Sequence, residues 1–194
     1  MLRGIRASVV QACTERYSLD DTLLKLERLT RLARDRDRSQ LCVFPEALYY
    51  NPFMPCVHLT VSHLRSIGGY PKYSSFGAVV GERSEAGREE FAKYYAAAID
   101  IPSSAITRME DVSRETGVFL VVGVIERAGG TLYCTIVFID SIKGYMGKHR
   151  KLMPTGTERL IWGQGNGSTL PVIEADFGTA GQPLNAKISA SICW

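Results

Sequence analysis

Apolar residues gather first at Ala7 to Cys13, a short run with two valines, and then change period. Ser18-Leu19-Asp20-Asp21 offers an N-cap serine with an acid three residues on, the arrangement that satisfies the free amides of a helix's first turn. Leu23, Leu26, Leu29 and Leu32 follow at near-helical spacing to about Arg34, so a strand and then an amphipathic helix are predicted. Leu41-Cys42-Val43-Phe44 is a continuous apolar run stopped by Pro45, the pattern of a strand covered on both faces. Glu46 therefore leaves the sheet at a strand's C-terminal end. A helix is predicted from about Glu85 to Ile99, carrying Phe91, Tyr94 and Tyr95. Another runs from Ser104 to Thr116, with Ile106, Met109 and Val112 inward and Gly117 at its stop. Val118 to Ile125 and Leu132 to Ile139 are apolar and β-branched around Gly129-Gly130, a hairpin pattern. Lys143-Gly144 turns the chain into a basic run, and Ser168 to Phe177 and Lys187 to Cys193 read as the last strands. The order βαβ(αα)βββ indicates an α/β layered domain. Tyr49 to Ser66 breaks this regularity: it has no consistent period and contains Pro52, Pro55, His58 and His63.

A length of 194 residues with 45% hydrophobic composition suits one core, so residues 1–194 are expected to form a single domain. The net charge of +3 arises from 23 basic and 20 acidic residues mixed along the chain, without the clustered stripe that a nucleic-acid partner requires. No apolar run approaches the ~20 residues of a membrane span, and the apolar stretch near the N-terminus is short for a signal peptide. A soluble, cytoplasmic protein is expected. Cys13, Cys42, Cys56, Cys134 and Cys193 show no C-x-x-C spacing, which argues against a disulfide framework or a zinc site. All but Cys193 are read as small hydrophobes.

Cys193 closes an apolar strand pattern, where a structural thiol is the ordinary reading. A nucleophilic role requires a nearby base or cation, because only the thiolate attacks. Glu46 is either a general base or a helix cap or salt-bridge partner. Lys151 stands in the run Gly147-Lys148-His149-Arg150-Lys151-Leu152-Met153-Pro154-Thr155, which reads as a solvated loop unless one lysine turns inward. An inward lysine lowers a neighbouring thiol's pKa and stabilises an anionic tetrahedral intermediate. His149 offers a Cys/His alternative, although no separate orienting Asn or Asp is evident for it. Glu158 either orients Lys151 or an attacking water, or pairs with Arg159 on the surface. Gly163-Gln164-Gly165-Asn166-Gly167-Ser168 lacks the lysine of a phosphate loop and is expected to be a hairpin or irregular loop.

The order of these segments adds what none carries alone. Phe44-Pro45-Glu46-Ala47, then the run from Gly147 through Trp162-Gly163-Gln164-Gly165 to Leu170, then Ile192-Cys193-Trp194, resembles the nitrilase branch of the carbon-nitrogen hydrolase superfamily. Gly68-Gly69-Tyr70-Pro71-Lys72, Val121 to Arg127 and Thr131 to Thr135 support the likeness, which covers the chain except Tyr49 to Ser66. The resemblance implies a nitrilase-like αββα sandwich, here incomplete. It places the catalytic residues at Glu46, Lys151 and Cys193, with the additional glutamate at Glu158. It also implies a small-molecule nitrile substrate, converted through a thioimidate and a thioester to a carboxylic acid and ammonia, with no metal or organic cofactor. Homo-oligomerisation is implied for the full-length protein.

The sequence departs from the family pattern in three places. Asn166 stands where the motif usually has Asp. Tyr49 to Ser66 reads as an atypical insertion at the mouth of the site, as a translated intron would be. Family members also continue well beyond Cys193-Trp194, so the isolated chain is expected to be poorly soluble or inactive. A non-catalytic remnant serving as an assembly module and a related amide hydrolase are the alternative readings.

Overall fold

The computed structural model describes residues 4–12, 15, 18–46, 78–79, 82–178 and 184–190. The expected insertion at Tyr49 to Ser66 lies outside the described residues, as do Cys13, Cys56 and Cys193.

The main sheet has the strand order β1-β2-β5-β6-β7. Strands β1 (Ala7–Val9), β2 (Leu41–Phe44) and β5 (Phe119–Ala128) are parallel, with Val9 opposite Val43 and Val43 opposite Val121. Parallel neighbours need a crossover, and helix α1 (Leu19–Asp37) supplies the first. The second connection contains the short antiparallel pair β3 (Ala78–Val79) and β4 (Glu82–Arg83), then helices α2 (Glu85–Ala97) and α3 (Ser104–Thr116). From β5 the sheet turns antiparallel through β6 (Thr131–Asp140) and β7 (Gly144–Arg150). Gly129 and Gly130, with φ of 56° and 80°, form the two-residue β5–β6 loop; positive φ at both positions matches the twist of the flanking strands.

One face of the sheet packs against α1 and α3, joining Leu23, Leu26, Met109 and Val112 to Leu120, Val122, Val137 and Ile139. The other face carries Phe119, Val121, Ile125, Cys134 and Phe138. Tyr94 of α2, Trp162 and the antiparallel pair β8 (Ile173–Asp176) and β9 (Asn185–Ile188) cover it. Helix, main sheet and second sheet therefore form successive α/β layers, the arrangement expected from the element order.

Both predicted caps form in part of the chain: the Ser18 hydroxyl accepts the Asp21 amide at 3.3 Å, and Gly117 ends α3 at φ 67°. Several expectations need correction. Leu32 is 46% exposed, because nine residues at 100° each carry it about 180° round the helix from Leu23. Thr30 and Ala33 occupy the buried stripe instead. Ile99 lies beyond α2 and forms a parallel bridge to Glu126, with its amide donating to Ile125 O at 2.9 Å. Strand β1 ends at Val9 rather than Cys13, and the strand expected from Ser168 begins only at Ile173, after a 3-10 turn over Gly167–Thr169. The last described strand, β9, precedes the expected one by two residues.

The largest correction concerns the basic run. It is not a solvated loop: Lys148, His149 and Arg150 belong to β7, opposite Val137, Ile136 and Thr135 of β6. Strand alternation sends Lys148 and Arg150 to one face and His149 and Lys151 to the other.

Candidate active site

Glu46 follows Pro45 at the exit of β2, where proline ends the ladder and releases the chain. Lys151 follows β7 directly, and its amide donates to Cys134 O at 2.8 Å, extending the β6–β7 pairing by one residue. Glu158 sits in a 3-10 turn, Gly156–Leu160, closed by a capping box with Thr155. The Thr155 amide donates to Glu158 Oε2 at 2.8 Å.

These separate segments bring their charges together. Lys151 Nζ donates to Glu46 Oε1 at 2.8 Å and to Glu158 Oε2 at 2.9 Å. Lys151 is 4% exposed and Glu158 3%, so the ammonium is shared by two carboxylates away from water. Its Nζ also lies 5.7 Å from the centre of the Trp162 ring, within reach of a cation–π attraction. Trp162 is itself anchored, its indole N–H donating to the Tyr94 hydroxyl at 2.9 Å.

Two carboxylates against one ammonium leave a net negative charge in a buried place, which favours retention of a proton. Burial pushes Glu158 up to about 7, with the Glu46 charge acting in the same direction and the Thr155 amide opposing it. Glu158 Oε1 is buried and has no hydrogen-bond partner among the described residues. A proton on that oxygen gives the site a donor; without it, the oxygen is an acceptor.

The glycine-rich segment serves this arrangement mechanically. Gly163 N donates to Leu132 O and Gly165 N to Lys151 O, each at 2.8 Å. A Cβ on Gly165 would fall 2.5 Å from Arg150 O and 2.8 Å from Lys151 O. Only glycine lets the loop approach the backbone that carries Lys151 so closely. Asn166 Oδ1 accepts from Ser168 N at 3.0 Å and from the Ser168 hydroxyl. These are acceptor duties that an aspartate performs equally well, so the departure at Asn166 leaves the turn intact.

Other members of the basic run have different tasks. His149 is fully buried, with Nδ1 2.5 Å from Thr169 O, and its ring serves the loop rather than the carboxylate–ammonium cluster. Lys148 and Arg150 turn to Glu126 on the opposite face of the sheet; Arg150 Nε donates to Glu126 Oε2 at 2.8 Å. Thr135 also donates to Glu126, at 2.9 Å. Burial alone would push the Glu126 carboxyl up, but its bonds from Arg150, Lys148 and Thr135 outweigh that and hold it below its ordinary value.

Sequence reasoning thus singled out Glu46, Lys151 and Glu158, and the structure brings those side chains together. It did not find Trp162, Glu126 or Cys134. For Glu126 a signal existed, a charged residue continuing an apolar strand. Cys134 is fully buried, and its thiol donates to Glu46 Oε1 at 3.5 Å. Cys42, by contrast, lies in the apolar layer beneath α1 and α3, where burial pushes its thiol up to about 11. It is the small hydrophobe expected.

Comparison with known proteins places the whole chain in one context. A family profile described as carbon-nitrogen hydrolase matches residues 6–194. An arylacetonitrilase of Trametes versicolor (strain FP-101664) is 59% identical over 197 residues, covering 100% of this chain and 56% of the relative. A bifunctional nitrilase/nitrile hydratase of Nicotiana tabacum is 46% identical, covering 98% of this chain and 47% of the relative. The chain spans about half the length of these curated relatives. Among solved structures, an N-terminal amidase superposes with a TM-score of 0.63 at 15% identity, over 97% of this chain and 40% of that one. An amidase from Nesterenkonia sp. gives 0.53 at 15% identity, over 95% of this chain and 56% of that one. At these identities the structural likeness shows a shared fold.

Proposed function

The chain belongs to the carbon-nitrogen hydrolase family, and from that premise we propose that its site is that of a nitrilase, with Cys193 as nucleophile, Glu46 as general base, and Lys151 and Glu158 as polar supports. The observation that carries this reading is the buried Lys151 ammonium bonded to both Glu46 and Glu158. Such a cluster costs desolvation and offers little stability in return, whereas it suits a reaction that moves a proton and develops negative charge.

In this reading Glu46 accepts the Cys193 thiol proton as sulfur attacks the nitrile carbon. The C–S bond forms, one C≡N π bond breaks onto nitrogen, and protonation gives a thioimidate. Lys151 offsets charge developing around the reacting carbon and compensates the two carboxylates. A water deprotonated by a carboxylate then adds to the thioimidate carbon. The C–N bond breaks, ammonia leaves with the proton, and a thioester remains. A second water adds to the thioester, the C–S bond breaks, and the carboxylic acid departs as Cys193 regains its proton. No metal or organic cofactor takes part.

The likeness to the Trametes arylacetonitrilase supports an arylacetonitrile as the substrate of this reading. Residues 1–194 are taken as belonging to one hydrolase domain, working in the cytoplasm and self-associating as the family resemblance implies. Among the described residues no helix is long and apolar enough to cross a membrane.

Ammonia release from phenylacetonitrile tests the reading. Cys193→Ala, Glu46→Gln and Lys151→Met are each expected to lower the rate by about a hundredfold or more. Unchanged release in Cys193→Ala removes the assignment. Hydrolysis of phenylacetamide with no action on the nitrile assigns the site to the related amide hydrolases instead.

A further inference from the structure

We propose that Cys134 is a positioning residue: its thiol donates to Glu46 and, together with Lys151, fixes which carboxylate oxygen acts as the base. This rests on the reading of Glu46 as general base. Cys134 stands on β6, opposite Ile125, with its side chain on the same face of the sheet as Phe138 and Trp162. Its carbonyl accepts the Lys151 amide at 2.8 Å, and its Sγ lies 3.5 Å from Glu46 Oε1. One residue therefore holds the backbone of the ammonium donor and the side chain of the carboxylate.

The thiol and the Lys151 ammonium both bond to Glu46 Oε1. That leaves Oε2 to take the nucleophile's proton. A thiol suits the position because it supplies a donor without introducing a competing charge. Burial holds the Cys134 proton on strongly; Glu46 acts in the same direction, and Lys151 only partly opposes them. Cys134 thus remains a neutral donor over the range in which a cysteine nucleophile works, and it does not compete for the electrophile. The groups facing Glu46 among the described residues are Lys151 beyond β7, Glu158 in the 3-10 turn and Cys134 on β6.

Cys134→Ser and Cys134→Val separate positioning from packing. Serine keeps a donor but places a hydroxyl among apolar neighbours; valine keeps the apolar contacts and removes the donor. The acid limb of kcat/KM reports the group that must be unprotonated in the free protein. Loss of a donor to the ionised carboxylate is expected to raise that limb by about one pH unit in Cys134→Val, lowering kcat/KM about tenfold below it. Cys134→Ser is expected to keep the wild-type limb even if its thermal stability falls. The opposite pattern, with a wild-type limb in Cys134→Val and a shifted one in Cys134→Ser, overturns the proposal.

The S–H infrared stretch of Cys134 decides the contact without turnover. It is isolated as the difference between wild type and Cys134→Val. A band at the frequency of a strongly bonded thiol, moving when Glu46 is replaced by leucine, supports the assignment. A band at the free-thiol frequency, indifferent to Glu46→Leu, overturns it. Full-length wild-type protein that hydrolyses neither nitrile nor amide refutes the nitrilase reading alone, and the infrared result still decides the Cys134–Glu46 bond.

Discussion

At the scale of single residues, the decisive fact is that charges met far apart in the sequence share one buried volume. Glu158 lies 7 residues from Lys151 and Glu46 lies 105 from it, yet both bond its Nζ. The proton equilibrium of this cluster makes a direct prediction. Glu158 holds its proton up to about 7, against an ordinary 4.5. Between those values the folded protein binds more protons than the unfolded chain, so stability falls as pH rises through that window. The full effect is on the order of 3 kcal/mol. Denaturant midpoints at pH 5 and pH 8 should differ in wild type and converge in Glu158→Gln; an identical slope in both proteins removes the buried proton. Glu126 has the opposite sign. Its carboxyl is held low by cations, so its stabilisation is present above the ordinary carboxylate range and is lost as pH falls through the depressed value. Glu126→Ala is expected to cost about 3–5 kcal/mol at neutral pH, because it leaves Lys148 and Arg150 facing an emptied, partly buried place. Urea unfolding measures it, and a loss below about 1 kcal/mol shows that the cations reach solvent.

At the scale of elements, alternation along β7 sorts a uniform-looking basic run into two functions. Lys148 and Arg150 hold the face that bears Glu126, while on the other face His149 bonds the Thr169 carbonyl and Lys151 enters the candidate site. The segment after β7 then depends on a close approach: Gly165 N bonds Lys151 O, and any side chain at 165 meets the Arg150 and Lys151 carbonyls. Gly165→Ala is therefore predicted to displace the loop and loosen Lys151. The expected stability loss is about 1–3 kcal/mol, together with reduced ammonia release. A variant with wild-type rate and wild-type melting shows that the loop can retreat without moving Lys151. Sequence patterning identified the strands and helices with clean periods, such as α3 and the β5–β6 hairpin. For the basic run it set a solvated loop beside an inward lysine and did not identify a strand, because charge resembles solvation when the partner, Glu126, is on another strand.

At the scale of the whole molecule, the main sheet separates two apolar layers, one under α1 and α3 and one under Trp162 and the β8–β9 pair. Met109 is fully buried in the first and Phe138 in the second. Met109→Ala and Phe138→Ala are each expected to cost about 2–5 kcal/mol. Because they belong to opposite layers, the double variant should equal the sum within about 0.5 kcal/mol in chemical denaturation; a larger deviation would show the layers coupled through β6. The sequence by itself determined the α/β layering, the helices that carry the parallel strands, and the candidate identities of Glu46, Lys151 and Glu158. Those properties rest on local period, caps and motif order. Only the tertiary structure decided that the Lys151 ammonium is shared by Glu46 and Glu158, that Cys134 bonds Glu46, and that Glu126 gathers Lys148 and Arg150. Each depends on which face of a strand a side chain occupies and what another strand sets beside it, relations that sequence spacing does not encode.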